Sequence, residues 1–447
     1  MLGGAWGHGT LRRAWGHGAL VLGRRRGAWG HGTLARHGTL ARHIGWGLTD
    51  GQPISPLVNV GSRVCDSFPQ QTSPNEFAFI DTMARLPRVE VIDPRQITLV
   101  HAINRTVRRC YLMGDYPISG KNFDHRKQWI EGLLQHFAAY FGIDLLCYTI
   151  LSNHYHLILR TRPDVVETWD DTEVARRWLM ICPRRKVGTG PAGLCPAEPS
   201  ESELNSIRNC PEKLAAVRER LADVSWWMRL LNQRVAQRAN REEEIPGRFW
   251  QDRFRAIRID DEPSLLACAA YVDLNPIRAS LAKTLEESEF TSVKMRIEAE
   301  IESTTQKRDV QEPSTQGPAG RRRDAFLARL SINERSDPLG PCANKTKTRC
   351  SDKGFLAMST PEYLELLDWT ARQIVRNKRG HTPASYPPVL KRLGLELRSW
   401  CELVTQFDAV FCHVAGRVDR VDRCRSHRTH RRFRVRPIAR KLLPAPL

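Results

Sequence analysis

Four stretches of the chain concentrate or alternate apolar residues in a way that predicts β-strands. Short apolar runs that are rich in β-branched and aromatic side chains and bounded by turn residues are typical of strands. The stretches that fit are QITLVHAINR (96–105), DLLCYTIL (144–151), HYHLILR (154–160) and GRFWQDRFRAIRI (247–259). Because only Ser152 and Asn153 separate the second stretch from the third, these two strands are predicted to form a hairpin.

Helical spacing of apolar residues predicts helices between and after these strands. From Asp124, bulky apolar residues recur at intervals of three and four, and Gly142 offers a stop. In a later helix we expect Asp261 as the N-cap and Pro276 as the terminator. The other predicted helices span 171–182, 201–222 and 225–240, and the capped one spans 261–275. Together these elements predict an α+β fold with an antiparallel sheet flanked by helices.

Composition divides the chain into a central folded region and simpler flanking segments. Residues 1–80 open with repeated AWGHGTL-like segments, and they are predicted to be a low-complexity, disordered tail. Residues 94–295 are expected to form the main domain. Residues 302–353 are predicted to be a linker with little fixed structure, 355–416 a small helical accessory segment, and 417–447 a basic tail.

Charge and cysteine usage narrow the class of protein. The chain has 69 Lys and Arg against 49 Asp and Glu, a formal net charge of +20, which favours a polyanionic partner such as nucleic acid. Basic composition alone also occurs in proteins that bind nothing specific.

The sequence contains no run of about eighteen apolar residues that would predict a membrane span. The twelve cysteines form no C-x-x-C pair, which argues against a zinc ribbon or a disulfide framework and for a reducing cytoplasm.

Two histidines in the third predicted strand are candidate metal ligands. Side chains alternate along a strand, so His154 and His156 point to one face and Tyr155 to the other. Two imidazole nitrogens could therefore meet on one ion, although a pair of partly buried histidines bonded to neighbouring groups fits the same pattern. A hydrolase motif of the H-x-H-x-D-H type would need Asp where Ile158 stands. The sequence therefore argues against a dinuclear hydrolase site.

Two motifs resemble one family of enzymes. LSNHYHLIL (151–159) resembles the His-hydrophobe-His strand of HUH-type single-tyrosine transposases, above all the REP-associated tyrosine transposases. Leu151 stands where this family usually has Met, and Ser280 where it usually has Gly. The family's Tyr-x-x-x-Asn-Pro-x-Arg-Ala pattern is matched by Tyr271, Asn275, Pro276, Arg278 and Ala279. The resemblance spans 94–295 and implies an HUH endonuclease fold with a ferredoxin-like core.

The resemblance implies an enzyme that cleaves and rejoins single-stranded or hairpin DNA through a 5′-phosphotyrosine intermediate. Tyr271 would be the nucleophile, and His154, His156 and Asn275 would hold Mg²⁺ or Mn²⁺. Tyr271 and Asn275 are four residues apart and share one face of a helix. Taken alone, Tyr271 would be interpreted as a core aromatic residue on an alanine-rich helix.

Three arginines are candidate DNA contacts. Arg253 and Arg255 alternate onto one face of their predicted strand, and Arg278 belongs to the second motif. Such a face suits phosphates, and it equally suits a solvated edge. The resemblance leaves monomer and homodimer open, and it implies a bacterial protein of the cytoplasm that associates with the nucleoid.

Two alternative functions remain open. A relaxase or replication initiator would use similar nicking chemistry, but it would usually have a third histidine near the pair and its own DNA-binding modules. A decayed mobile-element copy would bind DNA without cutting it, and the intact Tyr271, His154, His156 and Asn275 argue against decay.

Overall fold

A five-stranded sheet forms the centre of the structure. The computed structural model describes residues 88–117, 119–188, 196–309, 322–333, 341–374, 386–426 and 435–443. The strands are β1 (Leu99–Arg105), β2 (Asp115–Tyr116), β3 (Lys121–Asn122), β4 (Ile143–Ile150), β5 (His154–Thr161), β6 (Arg255–Ile259) and β7 (Val414–Ala415). β2 and β3 pair with each other, and the main sheet has the order β4-β5-β1-β6-β7.

The strand order confirms the predicted α+β class. Neighbours from β4 to β6 are antiparallel, and the first and third strands of this set, β1 and β5, lie side by side in the middle, as in a ferredoxin-like sheet. β7 pairs with β6 in parallel. The sheet is therefore mixed rather than purely antiparallel, because a strand from the C-terminal part of the chain joins its edge.

Helices surround the sheet on both sides. They are α1 (Arg88–Val91), α2 (His125–Tyr140), α3 (Pro163–Glu167), α4 (Asp171–Ile181), α5 (Glu201–Arg208), α6 (Pro211–Leu221), α7 (Val224–Glu243), α8 (Glu262–Asp273), α9 (Asn275–Arg278), α10 (Ser292–Asp309), α11 (Thr360–Ile374), α12 (Pro388–Arg392), α13 (Leu397–Val410), α14 (Val418–Ser426) and α15 (Pro437–Leu442). Within the described ranges, no helix is both long enough and apolar enough to cross a membrane.

The alternation of side chains along β5 separates two hydrophobic cores. Tyr155, Leu157 and Leu159 pack in a core with α2 and α7, where the Phe137 and Trp227 rings meet edge to face at 5.4 Å. On the opposite face, Ile158 packs in a core with α8, α11 and α13. Two layers of helices thus enclose the sheet, and His156 lies on the α8 and α13 side.

The structure corrects two predicted elements. The strand predicted over 247–259 begins at Arg255; before it, Phe249, Trp250 and Phe254 are all buried, so this stretch does not alternate between two faces. The helix predicted over 201–222 is two helices, α5 and α6, which part at Cys210. Pro211 begins α6, and a proline disfavours helical backbone at the residue before it.

The segment predicted as a linker, 302–353, is packed where the structure describes it. α10 extends to Asp309, Leu327 is 1% exposed, and the Ala328 amide donates to the Leu145 carbonyl of β4 at 2.8 Å. This segment is rich in Ser and Arg, but a few of its apolar residues pack against the edge of the sheet. Composition alone therefore gave the wrong expectation for these residues.

The predicted accessory segment 355–416 contributes α11, α12, α13 and β7. Tyr363 of α11 donates to Asp273 at the end of α8 at 2.8 Å, so this segment is packed into the second core.

The predicted basic tail contains α14 and α15. All described residues belong to one compact unit, and the predicted tail 1–80 lies outside the described residues. The boundary at 295 stays a prediction.

A buried carboxylate on β4, Asp144, bonds the segment that was predicted to be a linker to the sheet. Asp144 accepts hydrogen bonds from Arg160 Nε and Nη2 at 2.9 and 2.8 Å, and it lies 3.5 Å from Arg162 Nη1. It also accepts from the backbone and hydroxyl of Ser351, the hydroxyl at 2.7 Å. Asp144, Arg162 and Ser351 are each at most 1% exposed.

We expect Asp144→Ala to destabilise the protein by about 3–5 kcal/mol, because it leaves the buried Arg160 guanidinium without its carboxylate and the Ser351 groups without their acceptor. Arg162 keeps its second carboxylate partner, Asp164. Urea unfolding measures this free energy. The control is Glu219→Ala, which removes an exposed ion pair to Arg95 and should cost less than about 1 kcal/mol. Equal losses in the two variants would contradict the account.

Candidate functional site

The helix that carries Tyr271 is almost entirely buried. As predicted, Asp261 caps α8, accepting from the Ser264 amide at 2.9 Å, and Pro263 lies in the first turn. Every residue of α8 after Glu262 is buried, because the helix packs with the sheet on one side and α13 on the other. α8 ends at Asp273, and α9 begins at Asn275. The prediction of one helix over 261–275 that carries both Tyr271 and Asn275 is therefore wrong, because Pro276 lies in the first turn of α9.

The Tyr271 side chain is enclosed on all sides that the structure describes. Its hydroxyl donates to Asp408 Oδ2 at 3.0 Å, and the residue is 2% exposed. The Arg278 guanidinium lies over its ring at 4.4 Å. The His156 ring meets it edge-on at 5.4 Å, and the Phe407 ring lies at 5.9 Å.

Tyr271, Asp408, His101 and His156 form a continuous set of contacts, hereafter the buried cluster. His156 Nδ1 lies 3.0 Å from His101 Nε2, and His101 Nδ1 lies 3.6 Å from Asp408 Oδ1. The members are between 0 and 4% exposed. Four side chains that can each carry or accept a proton are thus brought together on β1, β5, α8 and α13.

The strand register explains why the two histidines meet. His156 lies opposite Ile103, and His101 lies opposite Ile158. The histidines are therefore diagonal neighbours on one face of the antiparallel pair, within reach of each other's rings. Their rings stack at 5.2 Å with an interplanar angle of 20°.

His154 and Asn275 lie beside the cluster. The His154 ring is 5.0 Å from the His156 ring, on the face shared by alternate residues of β5, and it is partly exposed. His154 Nδ1 lies 2.5 Å from Asn153 Oδ1. Asn275 is 2% exposed, and its Oδ1 accepts from Arg278 Nη2 at 3.2 Å. The site therefore reaches solvent at the His154 end.

Burial controls the protonation of the cluster. It lowers the pKa of His101 to about 4 and the pKa values of His154 and His156 well below 6.5. Burial, and then the neighbouring Asp408 charge, raises the pKa of Tyr271. Burial alone would raise the pKa of Asp408, but His101, Arg255 and His156 together lower it. At neutral pH the cluster holds neutral imidazoles, a neutral phenol and a carboxylate.

The cluster has the donor atoms of a metal site. His101, His156 and Asp408 could hold a metal ion, because one ligand atom from each lies within 4.8 Å of the others. Among the described residues, His101 Nδ1, His156 Nε2 and Asp408 Oδ1 are buried without a hydrogen-bond partner. Such groups are costly to bury, and coordination of an ion would satisfy some of them. The residues therefore fit a divalent ion.

Sequence reasoning missed two members of the cluster. His101 lies inside the predicted strand 96–105, where a lone imidazole among apolar residues is a sequence signal of a functional residue. No sequence signal marks Asp408, because it lies 137 residues from Tyr271 in a segment without a recognised motif.

The three candidate DNA-binding arginines have different surroundings. Arg255 Nη2 donates to the Asp408 and Phe411 carbonyls at 2.8 and 2.5 Å, and Arg278 Nη1 donates to the Thr405 carbonyl at 2.7 Å. These two therefore hold the end of α13. Arg253 is exposed and precedes β6. It lines a groove of about 570 Å³ with Trp226, Arg229 and Arg248, among other residues.

Comparisons with known proteins leave the family unassigned. No protein-family model matches the chain, and no curated protein matches it. A solved structure described as "Structure of the REP associates tyrosine transposase bound to a REP hairpin" is similar, with 14% identity and a TM-score of 0.26. The match covers 54% of this chain and 98% of that chain. At that identity and TM-score the similarity is too weak to carry over what that protein binds.

We expect stability to fall between pH 6.5 and about 4. Burial lowers the pKa values of His101 and His136 to about 4, so the unfolded chain binds protons in this window that the folded protein does not. In this window each such histidine lowers the free energy of unfolding by up to about 1.4 kcal/mol for every pH unit that the pH falls. Urea unfolding in chelator at pH 7 and pH 5 measures the loss. His136→Gln, far from the cluster, should reduce it, and equal stability at both pH values would contradict this.

Proposed function

We propose that this protein cleaves and rejoins DNA strands, with Tyr271 as the nucleophile. The observation that carries this proposal is the buried cluster. A tyrosine hydroxyl, a carboxylate that accepts its hydrogen bond and two stacked histidines converge from four separate elements. The resemblance of the two sequence motifs to HUH-type single-tyrosine transposases supports the same assignment, because Tyr271 and His156 are the residues that those motifs mark.

The chemistry of Tyr271 follows from its contacts. Its phenolic oxygen attacks the phosphorus of a DNA phosphodiester, and the O–H bond breaks as the O–P bond forms. Asp408, which already accepts this hydrogen bond at 3.0 Å, receives the proton. The P–O bond to the 3′ oxygen breaks, and that oxygen takes up the proton to become a free 3′-hydroxyl. The DNA 5′ end stays on Tyr271 as a phosphotyrosine.

Rejoining is the reverse reaction. A 3′-hydroxyl attacks the phosphotyrosine, and Tyr271 regains its proton. Because one phosphoester bond replaces another at each step, no nucleotide cofactor is needed. Single-stranded or hairpin DNA is the proposed substrate class, and the surplus of positive charge suits it.

A divalent ion, Mg²⁺ or Mn²⁺, is the proposed cofactor. His156 would hold it together with His154 and Asn275. Nε2 of His156 is buried without a hydrogen-bond partner in the described parts of the chain, whereas its Nδ1 already faces His101. When bound, such an ion polarises the scissile phosphate. Arg278, over the Tyr271 ring, would meet the phosphate charge that gathers beside the phenolic oxygen.

One observation favours a second candidate. His101 is a third histidine in contact with the His154–His156 pair, through His156, and a third histidine is what the relaxase and replication-initiator class usually has. That function, nicking at an origin, uses the same tyrosine chemistry. It differs in the DNA recognised, so a nicked product that is not rejoined to a second DNA end would favour it.

We expect a covalent protein–DNA adduct when the protein meets labelled hairpin DNA in Mn²⁺ or Mg²⁺. On a denaturing gel the adduct should require the metal and vanish in Tyr271→Phe, because that variant lacks the nucleophilic oxygen. The matched control is Tyr155→Phe, the same change on the opposite face of the sheet, where the hydroxyl donates to Asn232 at 2.6 Å; its adduct should match wild type.

Two outcomes would count against the proposal. An adduct that persists in Tyr271→Phe would place the nucleophile elsewhere. DNA that binds but forms no adduct with any variant would favour a binding protein derived from a mobile element.

A further inference from the structure

The two ring nitrogens of His156 have different environments. Nδ1 lies 3.0 Å from His101 Nε2, a normal hydrogen-bond distance. Nε2 is buried and has no hydrogen-bond partner among the described residues. A histidine that binds an ion through one nitrogen usually donates from the other to a neighbouring acceptor, which sets its tautomer and orientation. His156 has this arrangement if His101 is the acceptor.

The hydrogen bond between the two rings can be formed in two ways. In the first, His156 donates from Nδ1, so its Nε2 keeps a lone pair and His101 carries its proton on Nδ1. In the second, His101 donates from Nε2, so His156 carries its proton on Nε2 and His101 Nδ1 presents a lone pair. The two arrangements differ at His156 Nε2, the atom that would bind the ion. In the first it has a free lone pair and can be a ligand, and in the second it carries a proton and cannot.

Asp408 favours the first arrangement. Its Oδ1 lies 3.6 Å from His101 Nδ1, and both atoms are buried. A proton on His101 Nδ1 would then face a carboxylate, whereas a lone pair there would face a negative charge in a poorly solvated site. Tyr271 donates to the other oxygen, Oδ2, so the carboxylate is an acceptor on both sides. One placement of protons satisfies Asp408, His101 and His156 together.

We propose that His101 and Asp408 are positioning residues, which hold His156 in the tautomer whose Nε2 lone pair faces the divalent ion. This inference rests on the proposed function, since it concerns the same ion. It assigns a role to α13: through Asp408, a helix that follows the two sequence motifs by more than a hundred residues completes the metal site. The Arg255 and Arg278 bonds to the carbonyls of α13 keep Asp408 in place.

The competing arrangement makes His101 and Asp408 ligands themselves. The same three residues bring ligand atoms within 4.8 Å of one another. In that case His101, His156 and Asp408 would each offer one ligand atom to the ion. Both arrangements bind the ion through two imidazoles. They differ in the histidine that accompanies His156, which is His154 in our proposal and His101 in the competing arrangement.

The test is Mn²⁺ binding by the full-length protein without DNA. Electron paramagnetic resonance measures the affinity, and pulsed methods count the imidazole nitrogens bound to Mn²⁺. We expect Asp408→Asn, which keeps the side-chain volume, and His101→Ala to weaken binding about 10–100-fold, as is usual for groups that orient a ligand. Both should keep the wild-type count of bound imidazoles. His154→Ala is the control and should lose one.

Each other result overturns the inference. If His101→Ala loses a bound imidazole, His101 is a ligand. If Asp408→Asn binds Mn²⁺ as tightly as wild type, the carboxylate does not act through His101. If His101→Ala does not fold, His154→Ala still separates the two arrangements, because it loses a bound imidazole only where His154, and not His101, is the second histidine ligand. A wild-type protein that binds no Mn²⁺ also overturns it.

This experiment separates the inference from the proposed function. Weakened Mn²⁺ binding with no DNA adduct would support the positioning role and reject the nuclease. An adduct formed by the wild-type protein, together with unchanged Mn²⁺ affinity in Asp408→Asn, would support the nuclease and reject the positioning role.

Discussion

The rest of the site depends on one buried carboxylate, Asp408, and its contacts with Tyr271 and His101. A carboxylate that is withdrawn from water costs several kcal/mol unless other groups compensate for it. Asp408 is 4% exposed and gains a hydrogen bond from Tyr271, a contact with the neutral His101 ring at 3.6 Å and the nearby charge of Arg255. Because these partners lie on α8, β1 and β6, the carboxylate fixes where α13 can lie on the sheet. The C-terminal segment is therefore part of the site.

The same burial prepares the histidines for metal binding. An imidazole must be unprotonated to be a ligand, and the lowered pKa values of His154 and His156 favour the neutral form of both rings at pH 7. Burial acts in the opposite sense on Tyr271, because it raises the pKa of the phenol and so keeps it protonated at neutral pH. In the proposed mechanism, burial therefore keeps the imidazoles neutral, as metal ligands must be, and keeps the phenol protonated before attack.

How much the sequence reveals depends on how local each signal is. The hairpin of β4 and β5, the cap of α8 and the shared face of His154 and His156 depend on nearest-neighbour patterns, and the structure contains all of them. The segment before β6 could not be predicted from alternation, because Phe249, Trp250 and Phe254 are all buried beside the end of β1. The packing of 322–333 and 341–353 depends on long-range contacts such as Ser351 to Asp144, and their composition concealed these contacts. Asp408 is the extreme case, since its role arises from where α13 is packed and not from any neighbouring residue.

The central claim is that Tyr271, and no other tyrosine, forms the bond to DNA. Mass spectrometry of a protease-digested adduct tests it most directly, because the peptide that carries the nucleotide can be sequenced to the modified residue. We expect a 5′-phosphonucleotide on the peptide containing YVDLNPIR (271–278). A nucleotide found on Tyr155, or on any other residue than Tyr271, would contradict this assignment.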